Sequence, residues 1–253
     1  MQVTKYNASG NDFVIFHTFL KQPRNTLAKK LCDRQSGIGA DGLIVLVPHP
    51  TYDFEWEFYN SDGSDAEMCG NGSRAAAHYA LTNKLCEKDM NFMTVAGVIE
   101  ANVEGSLAEV KLTKPKVLDS IIVEEGFKWK LFDTGVPHLV TFVDDLKLYS
   151  KDIAREMRNK YNANVNFAKI DTEKRTIHVR TYERGVEDET LACGTGMAAC
   201  FYAAYQDKNV DEVTKVYPTS KEELTLSIKD GFIYFKGAVQ KVFETSIDSL
   251  YGS

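Results

Sequence analysis

Hydrophobic and polar residues alternate along much of the chain, a pattern that predicts many β-strands. Charged and aromatic residues take turns in Asp53–Phe58, as expected of a strand with one buried face. An Asp-Gly pair at Asp230-Gly231 separates the apolar segments Leu224–Ile228 and Phe232–Phe235, which predicts a hairpin. Glu104-Gly105 is predicted to form a similar turn.

Helical patterns are fewer. We predict one helix that is capped by Asn25 and a surface helix at Asp152–Tyr161. The two most apolar helices are predicted at Ser73–Asn83 and Met197–Tyr205, and a Cys-Gly-x-Gly sequence comes just before each of them.

The sequence around Cys69 is repeated around Cys193. In each copy a predicted strand is followed by a polar loop, the Cys-Gly-x-Gly sequence and an alanine-rich helix. Because the copies lie about half a chain length apart, they predict two similar domains. We place these domains at 1–115 and 116–253, and the last strand, near 240–250, is a candidate to return to the first domain.

The composition indicates a soluble globular protein. The chain has 253 residues, 43% of them hydrophobic, and a net charge of −6, which argues against nucleic acid or an anionic membrane as a partner. No apolar run approaches the roughly 20 residues that span a bilayer, and the first residues form no signal segment. We therefore expect a cytoplasmic protein.

The five cysteines divide into two groups. Without a secretion signal a disulfide framework is not expected, and no cysteine has the spacing of a zinc site, so no metal is expected either. Cys32, Cys86 and Cys200 are expected to be structural. Cys69 and Cys193, in contrast, stand just before predicted helices.

A cysteine at a helix start has particular chemistry. The first N–H groups of a helix lack intrahelical partners and form the positive end of its dipole, so a thiol there has a pKa below the value of about 8.5 for free cysteine. Glycines let an anion approach these N–H groups closely. Five acidic residues before the two helices act against thiolate formation: Asp65, Glu67, Glu187, Asp188 and Glu189.

If two such helix starts face each other across a pseudo-two-fold axis, their sulfurs can act on one carbon from opposite sides. A thiolate removes the α-proton of an amino acid and a thiol returns a proton to the other face, which inverts the stereocentre without a cofactor. The helix N–H groups stabilise the charge that moves onto the carboxylate. A single cysteine before a helix is usually structural, but its duplication favours the catalytic interpretation.

The chain resembles the diaminopimelate epimerases over nearly its whole length. Each motif alone is weak, but their order and spacing together are specific. The motifs are Gly10-Asn11-Asp12-Phe13-Val14, Gly37-Ile38-Gly39-Ala40-Asp41-Gly42-Leu43, Asn60-Ser61-Asp62-Gly63-Ser64, Met68-Cys69-Gly70-Asn71-Gly72, Pro137-His138, Asn164-Val165-Asn166-Phe167, Tyr182-Glu183-Arg184-Gly185 and Ala192-Cys193-Gly194-Thr195-Gly196.

The resemblance implies an α/β (α+β) fold with two pseudo-symmetric domains, each a mostly antiparallel sheet wrapped around a central helix, and an active site between them. It also implies interconversion of LL- and meso-diaminopimelate, a step toward lysine and peptidoglycan, by a homodimer that uses no PLP or other cofactor. Cys69 and Cys193 are then the acid–base pair.

Further residues follow from the same resemblance. For His138 the resemblance implies only a supporting role, in which it contacts site residues and not the substrate. The implied substrate contacts are the backbone N–H groups of Gly70, Asn71, Gly194 and Thr195 for the reacting carboxylate, Asn60, Asn164 and Arg184 for the far carboxylate and amine, and Asn11 and Glu183 near the reacting amine.

Ordinary structural roles remain open for several of these residues. The asparagines Asn11, Asn60 and Asn164 also suit turns, Arg184 suits a solvated surface, and His138 suits a structural position. On the other hand, the planar fork of an arginine matches a carboxylate, and an amide that both donates and accepts matches a zwitterionic group.

Two positions depart from the usual motifs of the family. Gly42 stands where many members carry Gln, and Val136 stands where many carry Asn before Pro137-His138. Val136 cannot donate a hydrogen bond to the far carboxylate. We therefore expect either weaker substrate binding or compensation by a neighbouring residue.

Other functions also remain open. A proline or hydroxyproline racemase of the same architecture uses paired cysteines, but typically carries His at the position of Asn71 and lacks the pair Glu183-Arg184. A thiol redox sensor would join Cys69 and Cys193 in a switchable disulfide. A non-catalytic amino-acid-binding module would leave the repeated thiols without a role.

Overall fold

The computed structural model describes residues 1–66 and 68–247, apart from the side chain of Ser120. Two sequence predictions fall outside the described residues: Glu67, and the end of the strand expected near 240–250. Within the described part of the chain, no helix has the length and apolar character needed to cross a membrane.

The chain divides into two compact units. The first contains Met1–Val110 and the segment that begins at Gly237, and the second contains Lys111–Lys236. The elements of the first unit are β1 (Gln2–Ala8), β2 (Asn11–His17), α1 (Asn25–Cys32), β3 (Gly42–Val47), β4 (Phe54–Asn60), α2 (Gly70–Thr82), β5 (Asp89–Thr94), β6 (Gly97–Glu104), β7 (Leu107–Lys111) and, from the returning segment, β17 (Gln240–Ser246).

The second unit has a similar set of elements. A short 3-10 helix, Leu146–Leu148, precedes its first α-helix. The elements are β8 (Lys116–Glu124), β9 (Phe127–Asp133), β10 (Pro137–Phe142), α3 (Lys151–Tyr161), β11 (Asn164–Asp171), β12 (Thr176–Glu183), β13 (Asp188–Thr190), α4 (Gly194–Gln206), β14 (Val213–Tyr217), β15 (Leu224–Lys229) and β16 (Phe232–Ala238).

Each unit pairs its strands in the same pattern. In the first unit the order is β17-β1-β2-β3-β4-β5-β6-β7, where β2/β3 and β4/β5 are parallel and the other neighbours are antiparallel. In the second unit the order is β8-β9-β10-β11-β12-β14-β15-β16, and the parallel pairs, β10/β11 and β12/β14, occupy the same places. The repeat in the sequence is therefore a repeat of topology, and the predicted mostly antiparallel sheets are confirmed.

A central helix lies against the strands of each unit. α2 contacts β1, β2, β3 and β6, and α4 contacts β9 to β12 and β14. Both helices are almost completely buried, which explains their alanine-rich sequences, because strands approach them from several sides and leave little room for larger side chains. The predicted wrapping of a sheet around a central helix is thus confirmed in both units.

Two helix predictions require correction at their starts. The helices predicted to begin at Ser73 and Met197 begin at Gly70 and Gly194, so the cysteine just before each is the N-cap residue. Glycine disfavours helix interiors, which hid these first turns in the sequence.

The predicted cap of α1 was wrong. Arg24 is the N-cap residue, and no side chain caps this helix. Asn25 is the first helical residue, and its Nδ2 donates to the carbonyl of Gly63 at 2.8 Å. This tertiary hydrogen bond uses the side chain that the sequence assigned to the helix end.

One of the two predicted hairpin turns is confirmed and the other is displaced. Lys229 pairs with Phe232, and the two turn residues between them have left-handed backbones, as a tight Asp-Gly hairpin requires. Glu104 pairs with Leu107, so the second turn consists of Gly105 and Ser106, one residue later than predicted.

The three cysteines predicted to be structural are free thiols in packed surroundings. Cys32 and Cys200 are buried, and Cys86 is partly buried with its Sγ 3.5 Å from the sulfur of Met90. Burial raises the pKa of Cys32 and of Cys86 to about 12 and also raises the pKa of Cys200. These thiols are therefore protonated at neutral pH.

Candidate active site

Cys69 caps the N-terminus of α2 with its side chain. Its backbone is extended, and its Sγ accepts a hydrogen bond from the backbone N–H of Gly72 at 3.4 Å. The sulfur thus lies beside the N–H groups of Gly70 and Asn71 in the first helical turn. A thiol and the first-turn N–H groups of a helix, which have no intrahelical partner, therefore lie in one place.

Asn11 lies next to the sulfur of Cys69. The two atoms involved, Cys69 Sγ and Asn11 Oδ1, are 3.5 Å apart. Asn11 Nδ2 donates to Asp41 Oδ2 at 2.6 Å, and because a carboxylate only accepts, this contact fixes which end of the amide is the nitrogen. The amide oxygen therefore faces the sulfur, and the thiol of Cys69 donates to it.

Asp41 belongs to a charged cluster with Asp12, Arg34 and Lys5. Arg34 donates to both oxygens of Asp12, at 3.1 and 2.8 Å, and to Asp41 Oδ1 at 2.8 Å. Lys5 lies 2.7 Å from Asp12. Although burial raises the pKa of Asp12, the hydrogen bonds from Arg34 and Lys5 outweigh it and lower that pKa to about 2. The carboxyl group of Asp12 is therefore ionised at neutral pH.

Backbone contacts tie the same carboxylates to their strands. Asp41 Oδ2 accepts the N–H of Asp12 at 3.0 Å, and Asp12 Oδ1 accepts the N–H of Asp41 at 2.9 Å. Each aspartate therefore holds the backbone of the other, at the point where the parallel strands β2 and β3 run side by side. Asn11, at the start of β2, precedes this reciprocal pair directly and also pairs with Ala8 of β1.

A buried arginine supports the first turn of α2 from below. Arg74 is completely buried, and its Nη2 donates to Asn71 Oδ1 at 2.8 Å and to Ser9 Oγ at 2.7 Å. Its Nη1 donates to the carbonyl of Ala238 at 3.1 Å. The side chain of Asn71 is thereby fixed, with its oxygen directed at the guanidinium.

Asn60 ends β4 and is exposed. Its Nδ2 donates to Ser64 Oγ at 3.0 Å, and the N–H of the next residue, Ser61, donates to the carbonyl of Asp41 at 3.0 Å. The turn role that the sequence left open for Asn60 is therefore present in the structure, beside the strand end that carries Asp41.

Cys193 occupies the same position in the second unit but has a different partner. It precedes α4 with an extended backbone and is 7% exposed. Its Sγ lies 3.6 Å from Thr195 Oγ1. The N–H groups of Gly194 and Thr195 form the first turn of the helix here, as those of Gly70 and Asn71 do in the first unit.

His138 lies behind Thr195. Its Nε2 is 2.9 Å from Thr195 Oγ1, and its Nδ1 is 3.2 Å from Asn166 Nδ2. Asn166 Nδ2 also donates to the carbonyl of Leu139 at 2.8 Å, which identifies that end of the amide as the nitrogen. His138 Nδ1 therefore accepts, and the ring proton is on Nε2.

The ring of His138 is neutral. Burial, and then the charge of Arg184, lower the pKa of His138 to about 3. Its Nε2–H donates to the hydroxyl of Thr195, and that hydroxyl is then free to donate its own proton to the sulfur of Cys193. Asn164 Nδ2 lies farther from Nε2, at 3.4 Å, and donates to the carbonyl of Pro137 at 3.2 Å.

Asn164 and Arg184 lie together at the ends of β11 and β12. Asn164 Oδ1 accepts the backbone N–H of Arg184 at 2.8 Å. One guanidinium arm, Nη1, donates to the carbonyl of Asn162 at 2.9 Å, and Asn162 has a left-handed backbone at the end of α3. The guanidinium is thus anchored on one side, near the strand end that carries His138.

Glu183 ends β12, where its Oε2 accepts a hydrogen bond from Thr190 Oγ1 at 2.8 Å. The acidic residues after it were expected to oppose a thiolate at Cys193, but each has a cationic partner. Three ion pairs hold them: Arg158–Glu187 at 2.6 Å, Lys151–Asp188 at 2.8 Å and Arg180–Glu189 at 2.6 Å. These partners reduce the electrostatic effect of the loop on the sulfur.

Two glycines leave space that the site needs. A Cβ atom on Gly196 would lie 2.4 Å from Asn166 Oδ1, and one on Gly42 would lie 2.7 Å from Phe58 Cε2 and 2.8 Å from the carbonyl of Tyr59. The glycine at position 42, a departure from the usual motif, is therefore required by the local packing. Val136 is partly buried and offers no polar side chain.

The sequence did not identify several residues that build the site. Asp41, Arg74 and Asn166 each orient a predicted site residue. Asp41 and Asn166 lie within the motifs that carry the family resemblance, but no role was assigned to them, and Arg74 lies just outside its motif. Asn166 offered the clearest signal, because it lies two positions after Asn164 on one strand and therefore shares its face.

Comparison with known proteins agrees with this architecture. The family model described as diaminopimelate epimerase matches residues 3–118 and 131–242. A diaminopimelate epimerase from a Nitratiruptor species is 60% identical over 251 residues, which cover 99% of this chain and 100% of the relative. A second, from Campylobacter lari, is 53% identical over 244 residues and covers 96% and 98%.

Solved structures with much lower identity share the fold. A probable proline racemase from Agrobacterium radiobacter has a TM-score of 0.76 and 14% identity, and covers 98% of this chain and 94% of its own. A PhzF-family phenazine biosynthesis protein from Bacillus anthracis has a TM-score of 0.73 and 16% identity, and covers 98% of both chains.

The two repeated units place this chain in a fold class that also contains a probable proline racemase and a PhzF-family protein. Within that class, this chain belongs to the diaminopimelate epimerase family.

Proposed function

We propose that this protein converts LL-2,6-diaminopimelate to meso-diaminopimelate by a two-base mechanism with Cys69 and Cys193. One observation carries the proposal: in both units a cysteine is the N-cap residue of the buried central helix. Relatives named diaminopimelate epimerase at 60% and 53% identity support the choice of substrate.

The two sulfurs face different side chains, which supports different resting states, although Cys69 Sγ also accepts the backbone N–H of Gly72 at 3.4 Å. Cys69 faces the amide oxygen of Asn11, an acceptor that favours the protonated thiol. Cys193 faces the hydroxyl of Thr195, which His138 leaves as a donor and which favours the thiolate. In this scheme Cys193 removes the α-proton of the LL isomer and Cys69 delivers a proton to the opposite face.

The proton balance follows from these states. The α-C–H bond breaks, its proton moves to Cys193, and its electron pair stays on the substrate as charge that spreads onto the carboxylate. The new C–H bond forms with the proton of Cys69, which becomes the thiolate. After one turnover the protonation of the pair is reversed, so the protein is ready for the reverse reaction or exchanges protons with solvent before the next one.

Binding of the substrate uses three groups of contacts. We assign the reacting carboxylate to the N–H groups of Gly70, Asn71, Gly194 and Thr195, where preorganised donors stabilise developing negative charge. The far carboxylate and amine are assigned to Arg184, Asn60 and Asn164, and the reacting amine to Asn11 and Glu183. No metal, PLP or other cofactor takes part in this scheme.

The test is isotope exchange. Purified protein is incubated with LL-diaminopimelate in D2O under reducing conditions, and deuterium at the α-carbon and the meso:LL ratio are followed. We expect both deuteration and epimerisation, and loss of epimerisation in Cys69→Ser and in Cys193→Ser. No exchange, or full activity of either variant, would refute the proposal.

L-Proline serves as the competing substrate, because a probable proline racemase shares the fold. We expect no exchange of the α-proton of proline, because proline lacks the second carboxylate that we assign to Arg184. Size-exclusion chromatography with light scattering tests the remaining family expectation, a homodimer. A cytoplasmic location also stays a prediction.

A further inference from the structure

Asp41 has no assigned role in the proposed reaction, yet it controls the group that faces Cys69. Its Oδ2 accepts from Asn11 Nδ2 at 2.6 Å. An amide held by its nitrogen in this way presents its oxygen on the other side, and the sulfur of Cys69 lies there, 3.5 Å away. The orientation of the amide decides whether the sulfur meets an acceptor or a donor.

The carboxylate of Asp41 is itself held in place. Arg34 donates to its Oδ1 at 2.8 Å, and the N–H of Asp12 donates to its Oδ2 at 3.0 Å. With both oxygens engaged, Asp41 cannot turn away from Asn11 without losing these contacts. The amide of Asn11 is therefore oriented by an anchored group.

We propose that Asp41 is a positioning residue that fixes the amide of Asn11 and thereby keeps Cys69 as the proton donor of the resting protein. The inference rests on the proposed function, because it assigns Asp41 to one half of the two-base scheme. If the amide turned over, its NH2 group would face the sulfur and would stabilise a thiolate there.

Several charges surround this part of the site. On the strand side, the carboxylates of Asp12 and Asp41 are matched by the cations of Lys5 and Arg34. On the helix side, Arg74 is bound to Asn71 and Ser9. The strand-side charges balance in number. The sulfur also accepts the backbone N–H of Gly72 at 3.4 Å, and the amide of Asn11 is the side-chain contact of the sulfur that Asp41 orients.

The effect of a charge must be separated from the effect of the amide. Removal of the Asp41 carboxylate favours a thiolate at Cys69 by itself, through space. A charge effect persists when Asn11 is absent, whereas a positioning effect requires Asn11. A double-mutant cycle of Asp41→Ala and Asn11→Ala therefore distinguishes the two.

The experiment measures the thiolate fraction of each cysteine. The full-length protein is treated with iodoacetamide across a pH series, and alkylation of the Cys69 and Cys193 peptides is quantified by mass spectrometry, with Cys193 as an internal reference. In Asp41→Ala we expect alkylation of Cys69 at pH 7 to be about tenfold faster, which corresponds to a decrease of about one in the pKa of Cys69. The alkylation rate of Cys193 should change less than about twofold.

In the Asn11→Ala background, Asp41→Ala should add less than about a twofold change at Cys69. Asp53→Ala is the matched control, because this carboxylate also accepts a backbone N–H, from Asn91 at 2.7 Å, in the same unit. It should leave Cys69 unchanged. A circular dichroism melt identifies variants that are unfolded, and for these Asp41→Asn, which keeps the shape of the side chain, replaces Asp41→Ala in the cycle.

An unchanged Cys69 profile in Asp41→Ala, or an undiminished effect in the Asn11→Ala background, would overturn the inference. Its failure is distinct from that of the proposed function. The alkylation profile reports the state of Cys69 without substrate, whereas the isotope exchange of the wild-type protein reports catalysis.

Discussion

His138 Nε2 lies 2.9 Å from Thr195 Oγ1. This contact determines whether the threonine hydroxyl donates or accepts a hydrogen bond at the sulfur of Cys193. Asn166 donates to the opposite nitrogen of the ring at 3.2 Å, so the proton on Nε2 points at the threonine. The hydroxyl oxygen accepts a hydrogen bond from this N–H group, so the hydroxyl proton is available for a hydrogen bond to the sulfur. The neutral ring of His138 thus favours a thiolate at Cys193 through the hydroxyl of Thr195.

The first prediction concerns Thr195. Thr195→Val removes the hydroxyl and keeps the shape, and loss of a hydrogen bond to a charged group costs about 1.5–3 kcal/mol. We expect the pKa of Cys193 to rise by about one to two and kcat/KM at neutral pH to fall about 10- to 100-fold. Thr195→Ser should stay close to wild type. Alkylation of the Cys193 peptide across pH provides the measurement, and identical profiles for Val and Ser would contradict it.

The second prediction concerns stability in acid. The pKa of His138 is about 3 in the folded protein, compared with about 6.5 in an unfolded chain. Between these values the unfolded state binds the extra proton, so the contribution of His138 to stability is complete above pH 6.5 and is lost as pH falls toward 3. The loss is up to about 1.4 kcal/mol per pH unit.

His138→Gln removes this titration. Urea unfolding at pH 5, 6 and 7 should show the wild type losing more stability than the variant as pH falls. Asp12 does not complicate this range, because its pKa of about 2 places the loss of its contribution at pH values below about 4. Parallel stability curves would show that His138 does not titrate as described.

The third prediction compares the equivalent glycines of the two helices. A Cβ atom on Gly196 would lie 2.4 Å from Asn166 Oδ1, whereas one on Gly72 would lie 3.3 Å from the flexible end of Ile44. We expect Gly196→Ala to cost about 1–3 kcal/mol and to displace the amide that orients His138. Gly72→Ala should cost less than about 1 kcal/mol, since alanine also favours the helix. Equal melting temperatures for both variants would contradict this comparison.

The fourth prediction concerns the far end of the substrate. Arg184→Gln keeps an unbranched stem with a polar amide but removes the guanidinium and its charge, and a charge-assisted hydrogen bond contributes about 1.5–3 kcal/mol. We expect KM for diaminopimelate to rise about 10- to 100-fold, with a smaller change in kcat. Arg155→Gln is the control, because that arginine lies on the exposed face of α3 and pairs with Asp152. Equal KM values for the two variants would remove Arg184 from the substrate site.

The sequence was sufficient for the repeated architecture. Period-two alternation predicted the strand at Asp53–Phe58, and the Asp230-Gly231 turn is where it was expected. The repeated Cys-Gly-x-Gly sequences located both central helices. These features depend on local chemistry, namely side-chain alternation, turn conformation and helix termination, and each is contained in a few neighbouring residues.

The sequence was less informative at element ends. Asn25 had the residue type of a cap, but its side chain instead bonds to Gly63, far along the chain. The first turns of α2 and α4 were missed, because glycine disfavours a helix in isolation, and in α4 the close approach of Asn166 requires a glycine at position 196. Tertiary contacts decided both cases.

What the sequence by itself determined is the repeated pair of cysteines, the presence of a central helix after each of them and the family to which the chain belongs. What only the tertiary structure decided is how the two cysteines differ. Asn11 and Asp41 come from strands far from Cys69 in the sequence, and His138 and Asn166 reach Thr195 in the same way. Which side chains meet a sulfur depends on the folded chain, so two nearly identical motifs acquired different side-chain partners, an amide oxygen for Cys69 and a hydroxyl for Cys193.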